Sequence, residues 1–451
     1  MNIRIILSVA VLAAAPLAGQ ETTAVPLTLQ EAVTAALDGN RGLAAAEARA
    51  DAAALGARAG EGFLFPNVQA TAGAMRTNDP VGVFGTKLRQ RRFAAEDFDV
   101  GALNDPDAVT DWTAGIGAQW DIAQLHRWVE RDAGDARSRA AEAMLDRTRE
   151  GTVFRTRARY VEAVRADAGL RALEAALASA TATRDRVRRR VEEGMGTQAD
   201  VLQAEAAVSG LQARVEHARA QVADARESLG SWLGWPRDRT PVPSQGADVL
   251  NAAAPAELTG NALMDRADLV AGRAGVEAAE ADARAVSARR LPGVQAFGML
   301  STHAPGIADG RESNWTVGVQ LSVPVFTGFS LTRGAEAARA QARALALEQA
   351  QREEEAWTEV RSARRGVEAA RGALRAATAA RDAADEAVRL LRRRYEEGMA
   401  TVADLLQAEA QAAALNTGVV DAEANLSMAL AALDFVLGRE AAGNGAGLET
   451  P

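Results

Sequence analysis

The three histidines of this 451-residue chain, His126, His217 and His303, stand far apart, and it has no cysteine. Isolated imidazoles offer neither the ligand spacing of a metal site nor a base beside a nucleophile. The missing thiol excludes disulfides, cysteine-type zinc sites, thiol catalysis and acylation of an N-terminal cysteine. The carboxylate pairs Glu192/Glu193 and Glu396/Glu397 are adjacent in sequence, so on a helix they point to different sides and cannot share a reacting atom. No phosphate loop or metal-ligand spacing stands out. The sequence therefore nominates no catalytic, cofactor-binding or metal-binding residue, and no enzyme.

Two acidic turns remain. Residues 188–206, RRRVEEGMGTQADVLQAEA, return at 392–410 as RRRYEEGMATVADLLQAEA with fifteen of nineteen letters unchanged. Gly194 and Gly398 sit where a helix needs a left-handed residue at its C-terminal end, behind arginines that suit the negative end of the helix dipole. Thr197 with Asp200, and Thr401 with Asp404, fit a Thr-x-x-Asp start for the returning helix. The plainest role for both aspartates is capping, and one carboxylate can cap a helix and attract a cation together.

The repeat extends over the chain beyond a leader. MNIRIILSVAVLAAAPLAGQ carries Arg4, an apolar run from Ile5 to about Ala15 and small residues before Gln20, the pattern of a secretory signal over residues 1–19. A first repeat spans 20–233 and a second 257–440, each reading helix, strand, loop, strand, long helix, turn, helix. The matching stretches include PNVQA (66–70) with PGVQA (292–296), and WTAGIGAQW (112–120) with WTVGVQLSV (315–323). Residues 234–256 lack a sustained period and read as a linker with one short helix, and the tail 441–451 reads as disordered.

In 314–325, Trp315, Val317, Val319, Leu321, Val323 and Val325 share one face, and Thr316, Gly318, Gln320 and Ser322 the other. Residues 111–122 repeat this with Trp112, Ile116, Trp120 and Ile122, and 66–76 and 292–302 alternate more weakly. A soluble four-stranded sheet packed on helices accounts for any one of these strands. An apolar face with tryptophan anchors opposite a glycine-rich polar face, at about ten residues per strand, fits a tilted transmembrane strand better. Four strands cannot close a membrane barrel, which needs about eight or more, so such a chain must oligomerise. A net charge of −9 and the absence of any basic cluster with aromatics argue against nucleic acid as a partner.

The helices repeat in sevens. Val201, Val208, Val215, Val222 and Leu229 occupy one heptad position, and Leu405, Ala412, Val419, Leu426 and Leu433 its counterpart. Each preceding arm, about 128–193 and 333–397, is roughly 65 residues and on the order of 100 Å long as a helix.

Across about 27–440 the chain resembles the TolC family of outer-membrane efflux proteins, through the LTLQEAV opening, MDRADLVAGRAGVEAAEADARA, LPGVQAFG, LSVPVFTGFSLTRGAEAARAQ and the two turn segments. The resemblance implies a mainly α protein with a membrane β-barrel. Three chains would each give four strands to one twelve-stranded barrel, and their coiled coils would form a periplasmic tunnel. It implies a duct in the outer-membrane lipid that accepts substrate from an inner-membrane transporter through a periplasmic adaptor. The alternatives are a protein-secretion channel of the same build and a periplasmic coiled-coil scaffold. The family's adaptor-contact tips map to Gly194, Met195, Gly196 and Thr197 and to Gly398, Met399, Ala400 and Thr401. Asp404 matches the first acidic position of the family's periplasmic gate. The second position is Gln407, and a basic residue of some members is Ala400. Tyr395 and Asp200 match a pair that ties neighbouring coiled coils shut. The first repeat has WDIAQLHRW where the family's Pro-x-Phe-x-Gly signature would follow the strand.

Overall fold

The computed structural model describes residues 23–246 and 263–438. The expected signal segment, the expected disordered tail and the later part of the linker lie outside the described residues. The chain divides into two compact units, one built from residues up to 45 with 146–263 and 356 onward, the other from 46–145 with 264–355.

The second unit is built on an antiparallel sheet of β2 (Asn67–Thr77), β3 (Val109–Ala123), β5 (Gly293–Ala304) and β6 (Glu312–Ser322), in the order β2-β3-β5-β6. Its register sets Ala70 opposite Ile116, Ile116 opposite Leu300, and Leu300 opposite Trp315. Directly opposed residues share a face, so Ile116, Leu300, Trp315, Val317, Val319 and Leu321 form one apolar face, and all are exposed. The expected strand near 314–325 stops at Ser322, because β5 begins opposite it at Gly293 and offers no partner to Val323 or Val325.

The expected loop between β2 and β3 carries structure of its own: α3 (Pro80–Arg89), capped by Asp79, and α4 (Val100–Asn104), capped by Asp99. Asp111, His303 and Asn314 lie on the face opposite the apolar one. There Gln90 donates to Asp111 Oδ1 at 2.9 Å, His303 Nδ1 lies 2.7 Å from Asp111 Oδ2, and Asn314 donates to the Arg89 carbonyl. Asp111, His303 and Gln90 are buried, and this polar network holds the end of α3 to the sheet, since buried polar groups must be paired. Within the same unit α7 (Ala267–Ala288) lies against the first part of α5 (Leu125–Glu192) through Arg139–Glu277 at 2.7 Å, Arg289–Glu130 at 2.8 Å and Arg137–Asp282.

The first unit holds the heptad helices: the rest of α5, α6 (Gln198–Trp232), the later part of α8 (Ser330–Glu396) and α9 (Val402–Val436). The positions expected to form the seams are buried, from Val201, Val208, Val215, Val222 and Leu229 on α6 to Leu405, Ala412, Val419, Leu426 and Leu433 on α9. Each buried valine or leucine stabilises by about 1.5–3 kcal/mol, so the repeat is the main source of helix–helix cohesion.

The linker holds a strand that composition concealed. β4 (Arg239–Pro243) pairs in parallel with β1 (Thr23–Leu27). Their prolines, Pro26, Pro241 and Pro243, read as breakers, yet a two-stranded sheet is all edge and tolerates them. Tyr160 of α5 fixes the pair: its hydroxyl donates to the Leu27 carbonyl at 3.0 Å and accepts from the Gln245 amide at 3.2 Å. The buried phenol is pushed above its ordinary pKa by desolvation. α1 (Leu29–Gly39) starts on a capping box of Thr28 and Glu31 and buries Leu29, Ala32 and Ala36 against Tyr160.

Candidate functional site

The two repeated turns lie in the first unit. α5 ends at Glu192, and Gly194 adopts φ +80°; α8 ends at Glu396, and Gly398 adopts φ +75°. At the first turn the Met195 amide bonds the Arg190 carbonyl at 2.8 Å and Gly194 bonds Val191 at 3.0 Å. At the second, Met399 bonds Arg394 at 2.7 Å and Gly398 bonds Tyr395 at 3.1 Å. These are paired 6→1 and 5→2 bonds, which satisfy the last carbonyls of the helix and require a left-handed residue. The identical glycines are there because that φ strains any residue with a Cβ.

The returning helices start as the Thr-x-x-Asp spacing predicts. Asp200 Oδ2 accepts from the Thr197 amide and hydroxyl, both at 2.9 Å, while Thr197 Oγ1 accepts from the Asp200 amide at 3.3 Å. Asp404 Oδ2 accepts from the Thr401 amide at 3.1 Å and hydroxyl at 2.7 Å, and Thr401 Oγ1 accepts from the Asp404 amide at 3.1 Å. The Thr401 hydroxyl and amide, helped by the positive charge of Arg394, hold the exposed Asp404 carboxyl below its usual pKa. Gln407 is exposed one turn further along α9, on the same side as Asp404.

Beneath the turns is a small core of Val187, Val201, Tyr395, Val402 and Leu405, with Val191, Leu391, Ala400 and Leu406 partly buried around it. The Tyr395 ring lies under the Arg190 guanidinium, 4.7 Å from its centroid, and Arg190 also donates to the Tyr395 carbonyl. Burial raises the Tyr395 phenol pKa, Arg190 opposes that, and the Asp200 charge adds to it. Tyr395 and Asp200 are thus within electrostatic reach, but no direct hydrogen bond joins them among the described residues. The Asp200 oxygen is spent on its cap. Met195 and Met399, by contrast, are exposed at the turns. The differences between the two turns are coupled: a Cβ at Gly196 would meet Val191 Cγ2 at 2.9 Å, whereas the second turn has Ala400 with Tyr395 in the corresponding places.

The family model described as outer membrane efflux protein matches residues 32–235 and 258–439, one span for each repeat. The chain belongs to this family. It is similar to outer membrane protein TolC of Vibrio cholerae serotype O1, 28% identical over 340 residues that cover 72% of this chain and 74% of that protein. Its fold is that of the outer-membrane channel OprN, with a TM-score of 0.76 over 92% of this chain and 90% of that one at 23% identity. The outer membrane protein VceC from Vibrio cholerae gives a TM-score of 0.73 over 91% and 96% of the two chains at 21% identity. This efflux protein is accordingly an outer-membrane protein, and its four-stranded sheet carries an exposed apolar face. No helix among the described residues is long and apolar enough to cross a membrane.

One cluster near the turns escaped sequence reasoning. Glu409 of α9 accepts from Arg392 of α8 at 2.9 Å, from Thr183 of α5 at 3.0 Å and from Ser179 of α5 at 3.3 Å. One carboxylate thereby joins three helices of the efflux protein. Its repeat mate is Glu205, bonded by Arg188 at 2.8 Å, with no third helix bonded to it among the described residues. The Glu409 side chain is 9% exposed and that of Glu205 41%. The signal was present inside the repeated nineteen residues, where an arginine recurs seventeen positions before a glutamate. Arg186–Glu396 at 3.3 Å adds another α5–α8 tie.

Proposed function

We propose that three copies of this efflux protein close a twelve-stranded outer-membrane barrel, and that their helices form a periplasmic tunnel accepting cargo from an inner-membrane transporter through an adaptor. The sheet carries this reading: one face is apolar and exposed through Trp315, Val317, Val319 and Leu321, and the outer edges of β2 and β6 pair with no strand among the described residues. Lipid tolerates neither an isolated edge nor four strands alone, so the exposed face demands closure by further copies. The alternation of polar and glycine positions on the other face supports a water-filled interior.

The turns at Gly194–Thr197 and Gly398–Thr401 are the adaptor contacts in this reading. Their exposed Met195 and Met399 supply soft apolar contact on rigidly capped backbones. Asp404 and Gln407 face the periplasmic constriction, where Asp404 attracts cations and Gln407 contributes polarity without charge. Tyr395 and Asp200 brace the same end. Deleting the gene should sensitise cells to exported compounds, and the protein should be recovered from the outer-membrane fraction as a detergent-resistant trimer. Release as a soluble monomer by osmotic shock would refute the duct and favour a periplasmic scaffold.

A further inference from the structure

Every junction between the sheet and its helices carries an exposed large apolar side chain. These are Phe65 ahead of β2, Trp120 and Trp128 on either side of the end of β3, Leu291 ahead of β5, and Phe326 and Phe329 between β6 and α8. Where the sheet crosses the outer membrane as proposed above, these side chains mark one level, the boundary between hydrocarbon and headgroups at which aromatic girdles sit. The helices then begin in a headgroup layer about 5–8 Å deep.

At this level a groove of about 950 Å³ runs between α7 and the start of α8. Arg284 of α7, Arg290 and Leu291 of the link to β5, and Arg339 and Arg343 of α8 line it over a floor of alanines, and Glu280 is the one acid among its lining residues. All four arginines are exposed, and none has an ion-pair partner among the described residues. Two of them gather on Ser287: Arg339 donates to its hydroxyl at 3.2 Å and Arg290 to its carbonyl at 3.4 Å. Ser287 stands six residues before β5, about 9 Å along a helix, so these guanidiniums lie close to the headgroup layer.

The repeat supplies a contrast. Other arginines of the same unit are neutralised, Arg131 by Glu61 at 2.7 Å, Arg139 by Glu277 at 2.7 Å and Arg289 by Glu130 at 2.8 Å. Counting from the motifs that begin at Pro66 and Pro292, Glu61 corresponds to Ser287. The second half therefore has a hydroxyl where the first has a neutralising carboxylate, and its arginines keep their charge unspent.

We propose that this groove binds the phosphate headgroup of an anionic phospholipid from the periplasmic leaflet, whose acyl chains run past Leu291 toward the apolar face of the sheet. The proposal rests on the membrane placement of the sheet given above. Guanidinium forks match phosphate oxygens two at a time, and basic pockets between helices at a membrane boundary suit anionic headgroups. Four clustered cations repel one another, and a bound anion relieves that repulsion. Exposed arginines hold a free anion weakly because water competes for it, whereas acyl chains anchored in the bilayer keep a headgroup at high local concentration. Leu291 and the neighbouring apolar junction are what a soluble anion would not need.

Full-length protein, delipidated in a neutral detergent, would be titrated with phosphatidylglycerol and phosphatidylcholine of the same acyl chains, and bound lipid counted by native mass. An arginine beside an anionic headgroup strengthens binding about fivefold. We therefore expect phosphatidylglycerol to be preferred about tenfold or more by the unaltered protein, and less than about threefold by Arg284→Gln with Arg339→Gln. Arg290→Gln with Arg343→Gln removes the other two charges and should also lower the preference, so the test does not depend on one variant folding. A charge-matched control further along α8, Arg352→Gln with Arg364→Gln, should keep it. Equal binding of the two lipids by the unaltered protein, or a preference that survives both groove variants, overturns the site. Full displacement of phosphatidylglycerol by millimolar inorganic phosphate makes it a soluble-anion site and overturns the lipid. Flotation with pure phosphatidylcholine vesicles separates the two readings: protein that fails to float overturns the membrane placement itself, and protein that floats without the preference overturns only the site.

Discussion

Glu409→Ala offers the sharpest test of the three-helix tie, because the repeat supplies a built-in control. Glu409 accepts three hydrogen bonds from α5 and α8, and its side chain is 9% exposed against 36% for Arg392. Hydrogen bonds to a charged group contribute about 1.5–3 kcal/mol each when shielded, and breaking a buried pair costs about 3–5 kcal/mol. The half-open Arg392 can recover water, and Glu409 Oε2 is buried with no hydrogen-bond partner among the described residues, which together lower the expected loss to about 2–4 kcal/mol of local opening free energy in the α8–α9 hairpin. Glu205→Ala removes the same chemical pair where the side chains are 41% and 51% exposed, and surface pairs contribute about 0–1 kcal/mol. Native-state hydrogen exchange on the purified protein resolves the two hairpins. Amides of Val402–Val436 near the turn should exchange about 30- to 1,000-fold faster in Glu409→Ala, against less than about sixfold for α6 amides in Glu205→Ala, each 1.4 kcal/mol being tenfold. Equal effects of the two variants would refute the claim that burial and the α5 contacts, rather than the Arg–Glu pair itself, hold the second hairpin.

Further outcomes are expected at the second turn, in mid-helix and at the β1–β4 pair. Gly398→Ala places a Cβ at φ +75° with no heavy atom nearer than 3.9 Å, so it should destabilise by about 1–2 kcal/mol through backbone strain alone; Gly210→Ala in mid-helix, with open space around it, should stabilise by about 0.5–1 kcal/mol, and thermal unfolding reads both signs. The Asp404 carboxyl has a lowered pKa in the folded turn, so its capping contribution is complete above the ordinary carboxylate pKa and is lost as pH falls through the lowered value; acid titration of the exchange of the 402–405 amides should show this and Asp404→Asn should flatten it, while Asp404→Ala should raise closed-channel conductance in planar bilayers. Tyr160→Phe should cost about 0.5–1.5 kcal/mol, since it strands the Gln245 amide and removes one of the two donors to the Leu27 carbonyl, which keeps the Ser244 amide at 2.9 Å, and an unchanged melting temperature would show that the β1–β4 pair is not anchored there.

Much of the fold was legible because its rules are local. A strict period of seven selected the seams, and the valines it named are the buried ones. A period of two found all four sheet strands to within three residues at either end. Helix reversal needs a left-handed residue and a cap, so Gly194, Gly398, Thr197 and Thr401 were readable from spacing. The β1–β4 pair was hidden because its prolines argue against strands and its partners lie more than two hundred residues apart. The helices in the β2–β3 segment were hidden for a related reason: Asp111 and His303 are unremarkable in sequence, and only the sheet register brings them together under Gln90.

The two copies of the turn segment mark the division. Sequence determined what each copy does by itself, a glycine reversal and a Thr-x-x-Asp cap, because these depend on residues a few positions apart. Only the tertiary structure decided that they differ, since the same Arg–Glu pair is solvated in one hairpin and closed over by α5 in the other. Burial is a property of what stands opposite, and no local pattern within nineteen nearly identical residues encodes it.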